Sequence, residues 1–465
     1  MDNLAEFDRY IEHLCAALGH QDRNAGLQDY CRGLMLPIHR KSVEPLAAHT
    51  DPLHVEAKHQ SLHHFVAKAG WSDRTVMTRI RDWVVPDLGL DSGCYWIVDD
   101  TGYPKKGTHS VGVARQYCGQ LGKQDNCQVA VSLSLASVRA SVPVGYQLYL
   151  PKDWAADPVR RKKAGVPDEV SFATKPEIAL AQMHEALASG VPVGVVLADA
   201  GYGDETAFRD GITELCMLYA VGIRPATTVW APGTAPLPPR PWSGHGIRPT
   251  KLRREPGHEP VSVKALAMTL PQEAYSAVTW REGTNTDLSS RFAAVRVRPA
   301  HRDYLGTEMR AEEWLLIEWP EAEAEPVKYF LSTAPSDATL EQLVFVTKMR
   351  WRIERDYQEL KQEFGLAHYE GRGWRGFHHH ATLCIAAYAF LVTERLRQDS
   401  SKKNRPLCQK RLPYPKVTSL AAAGRVQRHV PDSISTLRVL IARAITSKLP
   451  RCPCCGNVKF IFVTQ

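Results

Sequence analysis

No apolar stretch in this sequence is long enough to cross a bilayer: the longest, residues 381–392, falls far short of the ~20 residues a membrane helix needs. The amino terminus, Met1-Asp-Asn-Leu-Ala-Glu-Phe7, lacks a basic segment followed by an apolar run, so no secretory signal is expected and the chain reads as cytoplasmic, with no membrane partner. Internal repeats are absent. The 11 cysteines are odd in number and mostly embedded in apolar runs, as at Cys94, Cys216 and Cys384. That usage fits reduced core thiols and argues against a disulfide framework. Acid is scarce in one place: residues 401–465 hold 13 Lys and Arg against the single acid Asp432.

What is present is the composition of an ordinary globular protein, 44% hydrophobic and 23% charged over 465 residues, enough chain for two to four domains. The net charge of +8 is uneven. The last 65 residues carry +12 and residues 1–400 carry −4. A mildly acidic body with a basic tail points to a polyanion as partner, nucleic acid first among them.

Periodicity divides the chain into five parts. Residues 1–88 read as a small all-α, DNA-binding module, with Phe7, Ile11, Leu14 and Leu18 at helical spacing and further helices over 25–36, 54–68 and 74–83. The polar start His39-Arg40-Lys41-Ser42 is either a phosphate contact or a solvated helix start. Residues 89–222 change to period 2, with strands near 94–98, 111–117, 128–136 and 142–150, then a helix over 175–187 and strands near 193–197 and 216–221. This order predicts a mixed α/β sheet. Residues 223–335 break the pattern with Pro and Gly before strands return, and read as a β-rich insertion. Within 336–399, one long helix over 339–364 and a mostly apolar one over 378–396 are expected. Residues 400–465 form the basic C-terminal region.

Two acids follow buried strands: Asp99, beside Asp100, in Val98-Asp99-Asp100-Thr101-Gly102, and Asp199 in Ala198-Asp199-Ala-Gly-Tyr-Gly203. Acids past strand ends serve metal and substrate sites in α/β sheets, although a single one is commonly a turn former. Asp204 reads as an N-cap. On the helix 339–364, measured from Arg350, Glu354 lies at about +40°, Tyr357 at about −20° and Lys361 at about +20°, one polar face beside an apolar stripe. A salt-bridged solvent face is the plain alternative. Three carboxylates together make an oxygen-rich site for Mg²⁺ or Mn²⁺. Two such ions serve phosphoryl transfer, and Arg350 and Lys361 suit phosphate oxygens.

These residues resemble those of bacterial insertion-sequence transposases of the DDE class. The third motif of that family runs Tyr-x2-Arg-x3-Glu-x6-Lys, and Arg350, Glu354 and Lys361 occupy its last three positions, with Thr347 in place of the Tyr. The first motif matches Val98–Gly102 with Pro104-Lys105-Lys106-Gly107, the second Ala198–Gly203. Tyr369-Glu-Gly-Arg372 with Trp374 and His378-His-His380 matches a further segment. The resemblance implies a ribonuclease-H-like mixed sheet flanked by helices, and a triad of Asp99, Asp199 and Glu354 holding two Mg²⁺ or Mn²⁺ ions. It implies phosphate or DNA contacts at Arg350, Lys361, Tyr357, Lys105 and Lys106. Asp99 is preferred to Asp100 because relatives keep the acid directly after the apolar strand.

The implied activity is DNA transposition: binding of terminal inverted repeats, metal-dependent cleavage of the ends, and joining of 3′-hydroxyls to target DNA. The partners are double-stranded DNA and a second copy of the chain, with nucleoid association when DNA is bound. Thr347 leaves a DNA hairpin intermediate open. A stacking tryptophan in the insertion has Trp230, Trp242, Trp280, Trp314 and Trp319 as candidates, each more simply a packing residue. A catalytically silent DNA-binding descendant and a general metal nuclease are the alternatives. Cys452, Cys454 and Cys455 resemble half a zinc knuckle, but zinc is not expected without a second pair. His378–His380 read as solvated histidines at a helix start, or as a phosphate contact.

Overall fold

The computed structural model describes residues 3–281, 287–401 and 433–448. Five helices open the chain: α1 (Asn3–Cys15), α2 (Asn24–Met35), α3 (Val43–Thr50), α4 (Val55–Ala67) and α5 (Asp73–Val84). Phe7, Ile11, Leu14 and Leu18 are buried, as their spacing requires. The helix α3 is an addition to the four expected. Just ahead of it, Lys41 is buried and its Nζ donates to the carbonyls of Leu34 and Leu36, each at 2.5 Å. Its ammonium holds the end of α2 and is not a phosphate contact.

The central region supplies β1 (Tyr95–Pro104), β2 (Ala114–Cys118), β3 (Lys123–Ala136) and β4 (Ser141–Leu148). Then come α6 (Lys152–Ala155), α7 (Pro158–Ala164), α8 (Lys175–Ala188), β5 (Val195–Ala198), α9 (Ala200–Gly203), α10 (Thr206–Glu214) and β6 (Leu218–Ile223). β1 runs antiparallel to β3 and parallel to β5, and β5 runs parallel to β6. The insertion adds β7 (Thr228–Trp230), β8 (Val261–Ser262), α11 (Val263–Thr269), β9 (Ser276–Arg281), β10 (Leu288–Pro299), β11 (Glu313–Trp319) and β12 (Lys328–Ser332). These strands extend the core sheet: β12 pairs antiparallel with β6, so twelve strands run in the order β2-β3-β1-β5-β6-β12-β11-β10-β7-β8, with β4 on β3 and β9 on β10. The result is the ribonuclease-H-like arrangement, a large mixed sheet flanked by helices.

The helix expected over 339–364 is two helices, α12 (Leu340–Lys348) and α13 (Arg352–Glu363), joined by a 3-10 turn at Met349–Trp351. Each half has its own floor. Leu343 and Val344 pack on Val278, Phe292 and Leu316 of the insertion, whereas Ile353 and Tyr357 pack on Tyr95, Ile97 and Leu197 of the core. The sheet twists between these two floors, and a straight rod cannot follow both.

Two helices complete the molecule, α14 (Trp374–Ser401) and α15 (Ile434–Ser447). α14 is buried along most of its length against α2, α4, α5 and β4. The three histidines near its start are interior, not solvated. His379 bonds the carbonyls of Val66 (2.9 Å) and Trp71 (3.0 Å), while His380 bonds Tyr30 Oη (2.8 Å) and the Gly365 carbonyl (2.9 Å). His378 accepts from the backbone N–H of Leu148 at 3.1 Å. Of the basic tail, α15 is structural: Ile434, Leu437, Ile441 and Ile445 enter the core, and buried Arg438 pairs with Glu363 at 2.9 Å. Arg438 is therefore not a DNA contact. The other tail cations, apart from Arg443 and Lys448, and Cys408, His429, Cys452, Cys454 and Cys455 lie outside the described residues. No helix among the described residues is long and apolar enough to cross a membrane.

Candidate active site

Strand alternation decides which acid faces which layer. On β1, Tyr95 and Ile97 turn to the small cluster beneath α13, and Trp96 and Val98 turn to the main core. Asp99 continues the first series and Asp100 the second. β5 lies parallel with Ile97 opposite Leu197, which faces the same small cluster. Asp199, two residues further, emerges on the face that bears Asp99.

Asp199 is also the N-cap of α9, its Oδ1 accepting from Gly201 N–H at 2.9 Å. The second of the glycines that follow is required by packing. A Cβ on Gly203 would lie 2.2 Å from the carbonyl oxygen of Gly222 on β6, so the turn after Asp199 sits directly on the sheet. Asp204 is not an N-cap; it accepts from Thr227 Oγ1 and anchors the start of the insertion.

Asp99 and Asp100 have separate partners. Asp100 accepts from Lys175 Nζ at 2.7 Å and from Tyr202 Oη at 3.4 Å. Asp99 meets Arg350, with Nη1 to Oδ2 at 2.9 Å. Burial pushes the Asp99 carboxyl up to about 7, with the charges of Asp199 and Asp100 adding to the rise and Arg350 opposing it. Burial pulls the Arg350 guanidinium down, but Asp99, Asp199 and Glu354 more than offset this and its pKa is raised. The 3-10 turn places Arg350 between the acids: its Nη2 stands 4.0 Å from Glu354 Oε1, and the Glu354 side chain is 69% exposed.

The structure thus groups Asp99, Asp199, Arg350 and Glu354, with the arginine between Asp99 and Glu354. Among the described residues no group of three or more His, Cys, Asp or Glu side chains is close enough to hold a metal ion. The donor set nevertheless suits a hard divalent cation: carboxylate oxygens only, one raised in pKa by burial and then by its acidic neighbours, with a guanidinium supplying the counter-charge.

Lys361 lies further along α13, its Nζ donating to the Gly102 carbonyl (3.2 Å) and Gln120 Oε1 (3.4 Å) and resting 5.2 Å from the Tyr103 ring centre. Tyr357 is not on a polar face. It is buried beneath the helix with its hydroxyl 2.7 Å from Ser132 Oγ, packed with Ile353 on Tyr95, Ile97 and Leu197. Lys105 donates to the Tyr369 carbonyl at 3.1 Å, and Lys106 is exposed. Of the insertion tryptophans, Trp230 and Trp319 are buried, Trp280 and Trp314 lie beneath Lys348 and Arg296, and Trp242 is exposed. Lys175 and Tyr202, which hold Asp100 away from Asp99, were missed; the capping sequence Thr174-Lys175-Pro176-Glu177 marks the helix start that delivers the lysine.

A family model described as DDE superfamily endonuclease matches residues 13–287, more than half of the chain. The matched span includes Asp99 and Asp199 and ends before Glu354. The chain is 32% identical over 166 residues to a protein of Microchaete diplosiphon described as "Probable transposase for insertion sequence element IS701". That alignment covers 36% of this chain and 40% of the relative, so the chain spans about two fifths of the curated relative it matches.

Proposed function

The chain belongs to the DDE superfamily endonucleases, and on that premise we propose that it is an insertion-sequence transposase. It binds the terminal inverted repeats of its element, cleaves the ends, and joins the freed 3′-hydroxyls to target DNA. The observation that carries this reading is the delivery of Asp99 and Asp199 to one face of the sheet by adjacent parallel strands, with Arg350 and Glu354 over them.

Asp99, Asp199 and Glu354 would hold Mg²⁺ or Mn²⁺, two ions by this reading. Held by these three residues, such ions would supply activation of the attacking water or 3′-hydroxyl and counter-charge for the scissile phosphate. The side chains of the chain itself have separate tasks. Arg350 neutralises the acids in the absence of DNA, and its planar fork is suited to bidentate contact with a phosphate once one enters. Lys361, Lys105 and Lys106 supply further positive charge for the DNA backbone. Buried Tyr357 positions α13 through Ser132, and is a support for Glu354 and not a contact to DNA. Thr347 is buried and bonds the Leu343 carbonyl at 2.7 Å, so the position of the family's tyrosine offers no phenol. Pairing of two element ends calls for a homodimer, and the bound complex belongs with the nucleoid.

The test uses duplexes that carry the DNA flanking this reading frame, incubated with Mg²⁺. Asp199→Ala is expected to lower cleavage at least about a thousandfold and to leave end binding nearly intact. Retained cleavage overturns the triad. Binding without cleavage by the unaltered chain indicates a silent DNA-binding descendant, and cleavage indifferent to the flanking repeats indicates a general nuclease.

A further inference from the structure

β3 is longer than its partner in the sheet core. From Tyr95↔Ala136 to Pro104↔Cys127 it pairs with β1, but residues 123–126 run past the end of β1 and pair with β2. The two form an antiparallel ribbon, 114–118 against 123–127, whose inner side rests on β1, Cys118 lying against Gly102. One face is anchored: Cys118 and Cys127 are buried with Val129. The other is bare. Directly opposed residues in an antiparallel pair project to the same side, so the pairs Arg115↔Asn126 and Tyr117↔Gln124 share this face. Arg115, Tyr117 and Gln124 are exposed, and Tyr117 is 59% exposed. Asn126 faces inward at its tip, donating to the carbonyls of Lys105 (2.6 Å) and Gly107 (3.0 Å), which fixes the preceding loop to the ribbon. From residue 105 to residue 124 the chain holds Lys105, Lys106, Arg115 and Lys123 and no acid; Asp125, opposite Gln116 on the other side of the ribbon, pairs with Lys123 at 3.4 Å.

The tip of this ribbon touches the candidate active site. Gln120 receives Lys361 Nζ at 3.4 Å, and the same ammonium donates to Gly102, three residues beyond Asp99 on β1. Lys361 is two turns along α13 from Glu354, ~10 Å at the helical rise. That distance is about three base pairs of duplex at ~3.4 Å each. A two-stranded ribbon fits the major groove, where Arg bonds the O6 and N7 of guanine and Gln the N6 and N7 of adenine.

We propose that the β2–β3 ribbon enters the major groove of the DNA end beside the cleavage point and reads its sequence through Arg115 and Gln124. Tyr117 supplies an apolar contact between them, and the acid-free run 105–124 meets the flanking phosphates. The inference rests on the function proposed above and names the element that gives it sequence preference.

The experiment selects bound duplexes from a randomised double-stranded pool with the full chain, in EDTA so that no strand is cut. The enriched duplex and a scrambled one are then titrated across a salt series with Arg115→Lys and Gln124→Ala. Arg115→Lys keeps the charge and removes the bidentate fork. Each variant is expected to bind the enriched duplex about tenfold more weakly or worse, to lose preference at one base pair, and to keep the salt slope and the affinity for the scrambled duplex. Both positions are exposed, so melting temperatures should match that of the unaltered chain. Unchanged preference, or equal weakening on both duplexes, overturns the proposal. So does an unaltered chain that enriches no sequence, and Asp199-dependent cleavage then stands independently. Ribbon variants that lose preference while Asp199→Ala still cleaves would instead remove the assigned active site and leave the ribbon's role in place.

Discussion

On one face of β1, Trp96 and Val98 run into the large core shared with α8 and the N-terminal helices; on the other, Tyr95 and Ile97 meet a small cluster under α13 that ends at Asp99. The charged and imidazole groups that α14 and α15 bring to the large core are closed off. Arg438 is held by Glu363 and by the carbonyls of Met35 (3.2 Å) and Leu36 (3.0 Å), and each histidine of His378–His380 has backbone or side-chain partners. The face of β1 beneath the start of α13, around Asp99, is left open. Asp99 and Asp199 crowd each other, Arg350 is shared between Asp99 and an exposed Glu354, and the pKa of Asp99 is displaced by burial and like charge. One face fixes the fold, and the other keeps charge uncompensated enough to accept cations and phosphates.

Breaking the closed face should cost stability. Glu363→Gln leaves Arg438 buried without its counter-charge, and a loss of about 3 kcal/mol is expected, read from the urea midpoint. Deleting the chain after Ser401 removes the same pair with α15, so weakened DNA binding in such a truncation reports on folding as well as on the basic tail. A smaller effect is expected on the open face. Arg350→Ala should slow cleavage about a hundredfold, or ~2.7 kcal/mol, with the urea midpoint in saturating Mg²⁺ close to that of the unaltered chain. A large stability loss there would erase the distinction between the faces.

The closed face should contribute one part of the pH response, opposed by Asp99 and Asp356, whose carboxyls burial raises to about 7 and which favour the fold as pH falls. Burial lowers His378, and lowers His379 and His380 to about 4, so all three are neutral in the fold. For His379 and His380 the depressed folded-state pKa means that their contribution is fully present above about 6.5 and is lost as pH falls toward 4. For His380, which faces Tyr30, Cys384, His368 and Lys105, the loss between pH 6.5 and 5 is about 2 kcal/mol. Chemical denaturation of the unaltered chain and of His380→Gln at several pH values checks it: the stability difference between the two should change by that amount over the window, because the opposing gain from Asp99 and Asp356 is common to both.

Much of the open face was legible from local pattern. Two acids each followed a short apolar strand, and a glycine turn after Asp199 and a 3.6-residue stripe around Glu354 were visible in the residues. The rest depended on distant partners. Tyr357 shares a helical face with Glu354 on paper, yet Ser132 on β3 draws it inside. The break at Met349–Trp351 follows from two floors contributed by distant segments, one around Tyr95 and Leu197 and the other around Val278 and Leu316. His378–His380 look like a solvated turn until α2, α4 and β4 close over them. Arg438 counts as one of 13 tail cations in the sequence, and only Glu363 makes it structural. That the insertion lengthens the core sheet is a matter of β6–β12 register, which no local spacing encodes.

The adjacent acids of β1 offer the most direct test, because they differ in little but the face they occupy. Asp99→Asn and Asp100→Asn are compared for Mg²⁺-dependent cleavage of duplexes bearing the flanking DNA. Asp99→Asn should abolish cleavage while Asp100→Asn, which disturbs only the contacts to Lys175 and Tyr202, keeps most of it; equal loss, or loss confined to Asp100→Asn, would contradict the assignment of the catalytic face.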